Sequence, residues 1–493
     1  MLDATLTLGV VALALAATTL VGIGYALRRP LSLDALLTAR GSASEGTTVA
    51  SIVGSVMGAW ILLSPAEAGA AYGGVTAVLG YAIGSAAPLL LFVPVAARVR
   101  DVMPDGHSLT EYVRARFGTA FYCFVLVVSV FYMFVFLAAE MTGVTAALAL
   151  VAGVPAWATA TVIGGFVLVY TAYGGLVASL VTDTVQTAVA LPLLVVAAVG
   201  ALWQLGGTDA VYHTAASASP DLLTLANPAA LAFGFYVVFA VLGANVLHQG
   251  VWQRIWAAES TSAVKRAFGV SAVAVVPMIV LSGVFGVIAA ARGLVDGNAG
   301  VSFFLVVNDV FPTSLALGVV VLAVLLVAST ADTVLNGVAS VVTVDLAAFT
   351  DADRDTLTRI SRAATVVVAL AAIVVGARGY DVLTLFFLAD LLGAATFAPF
   401  VLGLYLPTLG ERGALLASVA GLLVGLAYFP GLGLAGALAA LGVPLTPSFF
   451  WVFVGSTGVS ITLTFAAAVV GRHEYDVRTL RHVGERLTEA SDR

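Results

Sequence analysis

The sequence predicts an all-α integral membrane protein of about thirteen transmembrane helices with no soluble domain. Three observations predict it. The 493 residues are 61% hydrophobic and 10% charged, with a mean hydropathy of +1.08, whereas soluble domains carry roughly 25% charged residues. Apolar runs of about 20 residues, the length that crosses a bilayer as a helix, recur along the whole chain. The basic residues gather on alternate connections between those runs.

The runs begin near residues 6, 47, 70, 119, 155, 181, 230, 268, 314, 360, 383, 413 and 447. The first, Leu6 to Leu27, reads as a retained helix. Asp3 precedes it and Arg28 and Arg29 follow it, the reverse of a secretory signal. With the N-terminus outside, the inner segments are 28–46, 97–118, 173–180, 249–267, 347–361, 408–412 and 472–493. All of the 21 Lys and Arg lie there or at the adjoining Arg362, except Arg292 and Arg378. This predicts a multi-pass protein of the cell membrane with its N-terminus outside and its C-terminus cytoplasmic. No basic stripe suggests a nucleic-acid partner, and no obligatory protein partner is evident. The single cysteine, Cys123, excludes an internal disulfide and reads as packing within an apolar run.

The second run, SIVGSVMGAWILLSPAEAG, is punctuated by Gly54, Gly58 and Pro65. The seventh, FGFYVVFAVLGANVLHQG, is punctuated by Gly234 and Gly243 and followed by His248 and Gln249. Glycine also serves helix packing in membranes. Yet breaks at matching points of two halves mark the binding sites of inverted-repeat carriers. The five-helix offset between these runs is that of a five-plus-five inverted repeat. The expectation is one membrane domain over 1–493. It has an extra helix at 6–27, a first repeat at 47–204, a second at 230–430, a last helix at 447–471 and a cytoplasmic tail at 472–493.

One further stretch stands out. LLVASTADTVLNGVASVVTVDL sets Ser329, Thr330, Asp332, Thr333 and Asn336 inside an apolar run. A lipid-facing helix would not carry them. This stretch, together with YTAYGGLVASLVTDTVQ (Tyr170 to Gln186), HQGVWQRIWAA (His248 to Ala258) and PDGHSLTEYVRARFG (Pro104 to Gly118), resembles the sodium:solute symporter family. The resemblance runs from about residue 30 to 430 and is nearest in character to the urea and polyamine branch, then to the proline branch. It implies a LeuT-like fold and sodium-coupled symport of a small polar organic solute by alternating access. It also implies a sodium site between the second and ninth helices. The ligands it carries over are the carbonyls of Gly54, Met57 and Leu326 and the hydroxyls of Ser329 and Thr330. Val56 stands where the proline branch has an Asp, which counts against proline as the solute.

A broken helix frees carbonyls for a hard cation, and hydroxyls from a facing helix complete a neutral cage. The bland alternative for Ser329 and Thr330 is bonding back to their own helix. Asp332 shares a helix face with Ser329 and is assigned with Asp183 to the ion path. Asp183 also has the spacing of a helix N-cap with Gln186. Trp60, Glu140, Phe239 and Asn245 are the candidate solute contacts. Glu140 suits a cationic or amide solute, and its alternative is a buried, hydrogen-bonded carboxyl. No HExxH, Gly-x-Ser-x-Gly or phosphate loop occurs, so no enzyme is expected. Proton coupling of urea, polyamine or amino-acid uptake stays open, as do a passive solute channel and a transporter-like sensor. Beyond sodium, no cofactor is expected, and the partners are the solute, sodium and the lipid bilayer.

Overall fold

A computed structural model describes residues 2–28, 37–350, 353–472 and 474–483. Of the basic residues counted above, Arg29, Arg486 and Arg493 lie outside the described residues, as does half of the expected tail. The described residues form α1 (Ala4–Ala26), α2 (Glu45–Val56), α3 (Trp60–Ala71), α4 (Gly74–Val102), α5 (Leu109–Phe117) and α6 (Thr119–Ala152). There follow α7 (Ala156–Gln204), α8 (Thr208–Ala218), α9 (Pro228–Leu247), α10 (Gln249–Ala257), α11 (Thr261–Ala291) and α12 (Ser302–Val310). The chain continues through α13 (Thr313–Phe349), α14 (Arg354–Gly376), α15 (Val382–Leu402), α16 (Glu411–Tyr428), α17 (Leu434–Ala440) and α18 (Ser456–Val470).

Several of these helices start where the sequence supplies a side-chain cap. Asp3 Oδ1 accepts the Leu6 N–H at 2.7 Å, Ser260 Oγ accepts Ala263 N–H at 3.0 Å, and Asp381 Oδ1 accepts Thr384 N–H at 2.7 Å. Each satisfies an amide that the helix itself cannot. Among the described residues, eleven helices are long and apolar enough to cross a membrane, or twelve if α2 and α3 form one span. The protein is a multi-pass membrane protein. The expected fifth span is the short apolar stretch Ala156–Val169. A break at Gly175, where φ is 54° and ψ is -153°, parts it from the next span, and the two are the halves of α7. That positive φ suits glycine.

The expected break of the second span is present, whereas the seventh span runs unbroken past Gly234 and Gly243. α2 and α3 are bent by 53° across Met57, Gly58 and Ala59. α9 ends at Leu247, and His248 is extended (φ -89°, ψ 94°) before α10 begins. The second break therefore lies at His248. Gly243 serves a different purpose: a Cβ there would overlap the backbone of Gly393 and Ala394 in α15. Two glycines let α9 and α15 cross backbone to backbone, as small residues do in bilayers. Gly243→Ala is expected to destabilise the protein by about 1–3 kcal/mol through overpacking, read as a lower melting temperature in detergent. Gly9→Ala, whose Cβ meets nothing within 4 Å, is the control and is expected to melt like the parent.

One hydrophobic core runs through the bundle, with α11 packed on α3 and α4, α9 on α4 and α15, and α13 on α7. Leu13, Leu20, Val127, Trp203 and Val469 are exposed on the outside of the helices, as a lipid-facing surface requires. Cys123 belongs to that surface, being exposed on α6 and not packed inside.

Candidate ion and solute site

The break between α2 and α3 is held by a residue far away in sequence. Glu140, on α6 and fully buried, accepts the Ala59 N–H on Oε2 at 2.6 Å and faces the Trp60 N–H. Ala59 is the N-cap of α3 and has no side-chain cap of its own. A carboxylate at that position meets the positive end of the half-helix dipole and its free amides. Gly58 makes room for it, since a Cβ there would overlap the Glu140 carboxylate. Trp60 closes the turn by donating its indole N–H to the Val56 carbonyl at 2.8 Å. The carbonyls of Gly54 and Met57 receive no backbone hydrogen bond among the described residues.

Gly54 itself packs against α7 and α13, where a Cβ would crowd the Thr187 hydroxyl at 2.7 Å. A Cβ on Gly54 would stand 3.1 Å from Ser329 Oγ and 3.4 Å from the Asp183 Cβ. Gly54 and Ser329 are thus in contact across α2 and α13. The Thr330 hydroxyl is buried with no hydrogen-bond partner, so it does not bond back to its own helix. Ser329 Oγ donates to Asp183 Oδ1 at 2.6 Å. Leu326 sits in unbroken helix, where its carbonyl keeps one lone pair beyond its helical bond.

Asp183 is not a helix cap. It lies two turns past Gly175 inside α7, fully buried. Its Oδ2 accepts from Ser51 Oγ at 2.7 Å and pairs with Arg254 Nη2 at 2.8 Å, both partners being inaccessible to solvent. Arg254 on α10 also donates to Ser51 Oγ (3.0 Å), Ser179 Oγ (3.1 Å) and Thr333 Oγ1 (2.8 Å). Asp332 accepts from Ser179 Oγ at 2.7 Å and Thr182 Oγ1 at 3.2 Å. One guanidinium therefore ties α2, α7, α10 and α13 together beside the Gly54–Ser329 contact. Gln249 adds a second tie by accepting Leu109 N–H at 2.9 Å and donating to His107 O at 2.8 Å.

The family model described as sodium:solute symporter family matches residues 37–421. The chain belongs to the sodium:solute symporter family. Its curated relatives include the spermidine transporter DUR31 of Candida albicans, 25% identical over 71% of this chain and 66% of that one. A probable urea active transporter 1 of Schizosaccharomyces pombe is 27% identical over 46% of this chain and 36% of that one. The urea-proton symporter DUR3 of Oryza sativa subsp. japonica is 26% identical over 38% and 30%. The chain thus spans two thirds or less of the length of these relatives. A structure of a Na+-coupled sialic acid symporter superposes with a TM-score of 0.77 at 16% identity, covering 95% of this chain and 98% of that one. Mhp1, a nucleobase-cation-symport-1 family transporter, gives 0.58 at 15% identity, covering 92% and 99%. These likenesses establish the LeuT-like inverted-repeat fold of this family member.

Of the solute contacts expected in this symporter-family chain, Trp60 and Glu140 meet at the break of α2 and α3. Asn245 is buried in the last turn of α9, just before the His248 break. Phe239 does not join them. It is half-buried and packs at 5.2 Å on Phe235, which faces outward. The inward aromatics of α9 are Phe233 and Tyr236. Arg254 and Asp390 were missed from sequence; Asp390 is a lone charge in an apolar run, where the cost argument used for Asp332 applies, whereas Arg254 falls in a segment read as an inner connection.

Proposed function

We propose that the protein is a secondary active transporter of the cell membrane, with its N-terminus outside and C-terminus inside, that carries a small nitrogenous solute inward with sodium. With repeats at 47–204 and 230–430, the sodium cage falls between the halves, at Gly54, Met57, Leu326, Ser329 and Thr330. The observation that carries this reading is the contact of Gly54 with Ser329, beside free break carbonyls and the unbonded Thr330 hydroxyl. A hard cation needs several oxygens in place of its water, and that set supplies them without a net charge. Asp183 and Asp332 lie next along the ion path, where release of sodium requires Asp183 to loosen its hold on Arg254. Spermidine and urea, named for the relatives, set the solute class. Proton coupling is the second reading, favoured by the buried carboxylates Asp183 and Asp332 and by the relative named a urea-proton symporter.

Uptake into vesicles is expected to be driven by an imposed sodium gradient and not by potassium or choline at equal pH. Uptake driven by a proton gradient alone would sink the sodium assignment. Thr330→Ala removes one oxygen from the cage and keeps the helix. It is expected to raise the sodium concentration for half-maximal uptake about tenfold or more, for a bond of about 1.5 kcal/mol. Thr330→Ser is expected to be mild. Thr343, whose hydroxyl donates back to the Ala339 carbonyl at 2.7 Å, is the control, and Thr343→Ala should leave sodium dependence unchanged.

A further inference from the structure

α15 is the most enclosed span of the bundle, with 83% of its apolar window buried. One charged residue stands in it, Asp390. The side chain is 7% exposed and makes no hydrogen bond or ion pair with any described residue. A glycine or proline within a span can serve packing alone, but a carboxylate at mid-span is costly and calls for a partner.

Its surroundings say which partner. α6 and α15 run antiparallel: Gly143 lies by Val382, and Phe117, just before α6 begins, by Gly403. Between those ends, Phe136 and Phe386 meet edge to face at 5.1 Å. Asp390 is one turn further along α15, which puts it opposite Tyr132, one turn back along α6. It is within electrostatic reach of Tyr132 and of Tyr81 on α4. Tyr81 in turn is 6.1 Å from Trp60, at the break of the α2–α3 pair. His248, at the other break, lies edge-on to Tyr132 (6.2 Å) and Phe136 (5.8 Å), and both of its ring nitrogens are buried without a partner. On the same face of α6, Glu140 sits two turns from Tyr132, about 12 Å along the axis. Its Oε1 is buried and accepts no hydrogen bond.

A neutral amide would leave the Asp390 charge uncompensated. An ammonium would pair with it, and aromatic rings such as those of Tyr132 and Tyr81 nearby attract cations. The Phe136–Phe386 pair between the two carboxylates suits methylene groups. Resting on the transport reading above, we infer that Asp390 anchors the solute and that the solute is an aliphatic di- or polyamine whose second nitrogen reaches toward Glu140.

The test uses the purified full-length protein in detergent, with labelled spermidine as the probe and sodium present. Saturable binding is expected, displaced by putrescine and not by urea. Asp390→Asn is expected to weaken spermidine binding at least tenfold while leaving the sodium dependence of thermal stability unchanged. Asp390→Glu should recover part of the affinity, and it keeps the test open if the Asn variant does not fold. Glu140→Gln should weaken spermidine more than propylamine. Urea binding in preference to spermidine overturns the inference. So does an Asn variant that binds spermidine like the parent, including one that loses only its response to a pH gradient, which would make Asp390 a proton carrier. Asp390-dependent spermidine binding without sodium-driven uptake would sink the coupling reading and leave this one standing.

Discussion

Arg254→Met is expected to abolish uptake and to lower stability by about 3–5 kcal/mol, because it strands the buried Asp183 carboxylate without its cation. Met is close to Arg in volume though shorter, so the loss would come from charge and hydrogen bonds more than from volume. The same guanidinium also satisfies Ser51, Ser179 and Thr333. Asp183→Asn alone is expected to be destabilising by a similar amount, since it leaves the arginine unpaired. The double variant removes both charges and should regain most of the stability, as neutral replacements of buried pairs do. Thermal unfolding of the three variants in detergent forms a double-mutant cycle with the parent. An Arg254→Met protein that melts like the parent would show that the pair is not a structural tie. The transport outcome separates a second question. If the tie only stabilises, the double variant should carry solute. If it also closes the route from the sodium cage toward α10, the double variant should fold and still transport poorly.

How far the sequence could be read depends on the range of the interaction. The span starts expected near 119, 155, 230, 314, 383 and 413 lie within two residues of Thr119, Ala156, Pro228, Thr313, Val382 and Glu411. There the apolar run begins with the helix, and Asn227 and Asp381 cap two of the six starts. The start expected near 268 is at Thr261, because α11 continues through Lys265 and Arg266 beyond its apolar part, capped by Ser260. Charge there was read as loop. The sixth span begins at Gly175 rather than 181, so Asp183 stands inside a helix where it had the spacing of a cap. Ser329 and Thr330 were legible because hydroxyls in an apolar run need a reason. The break at Met57 was legible from Gly54 and Gly58. What holds it was not: Glu140 lies 81 residues away, and no local pattern announces that contact. The seventh span breaks at His248, not at a glycine. Gly243 looked like a hinge and is a packing contact, a distinction that depends on which residue of α15 lies opposite.

Glu140→Ala is expected to be the most damaging change at that break. It leaves the Ala59 and Trp60 amides without the carboxylate they face, at a buried position. Each buried unsatisfied donor costs about 1–3 kcal/mol, and the removed side chain leaves a void against Gly58. A loss of about 3–6 kcal/mol follows, read as a collapse of melting temperature and loss of folded protein in detergent. Glu140→Gln keeps an acceptor of the same length and removes only the charge at the end of the α3 dipole. Its stability cost is expected to be about 0.3–2 kcal/mol. The pair of variants separates two roles that one residue holds at the break. If Glu140 served only to cap α3, the Gln variant would keep the parent's solute affinity once folded. If its free oxygen also meets the solute, the Gln variant would fold, respond to sodium as before, and need a higher solute concentration for half-maximal uptake. An Ala variant as stable as the parent would show instead that the half-helix needs no cap from α6, and that the Trp60–Val56 bond and the surrounding helices suffice to hold the break.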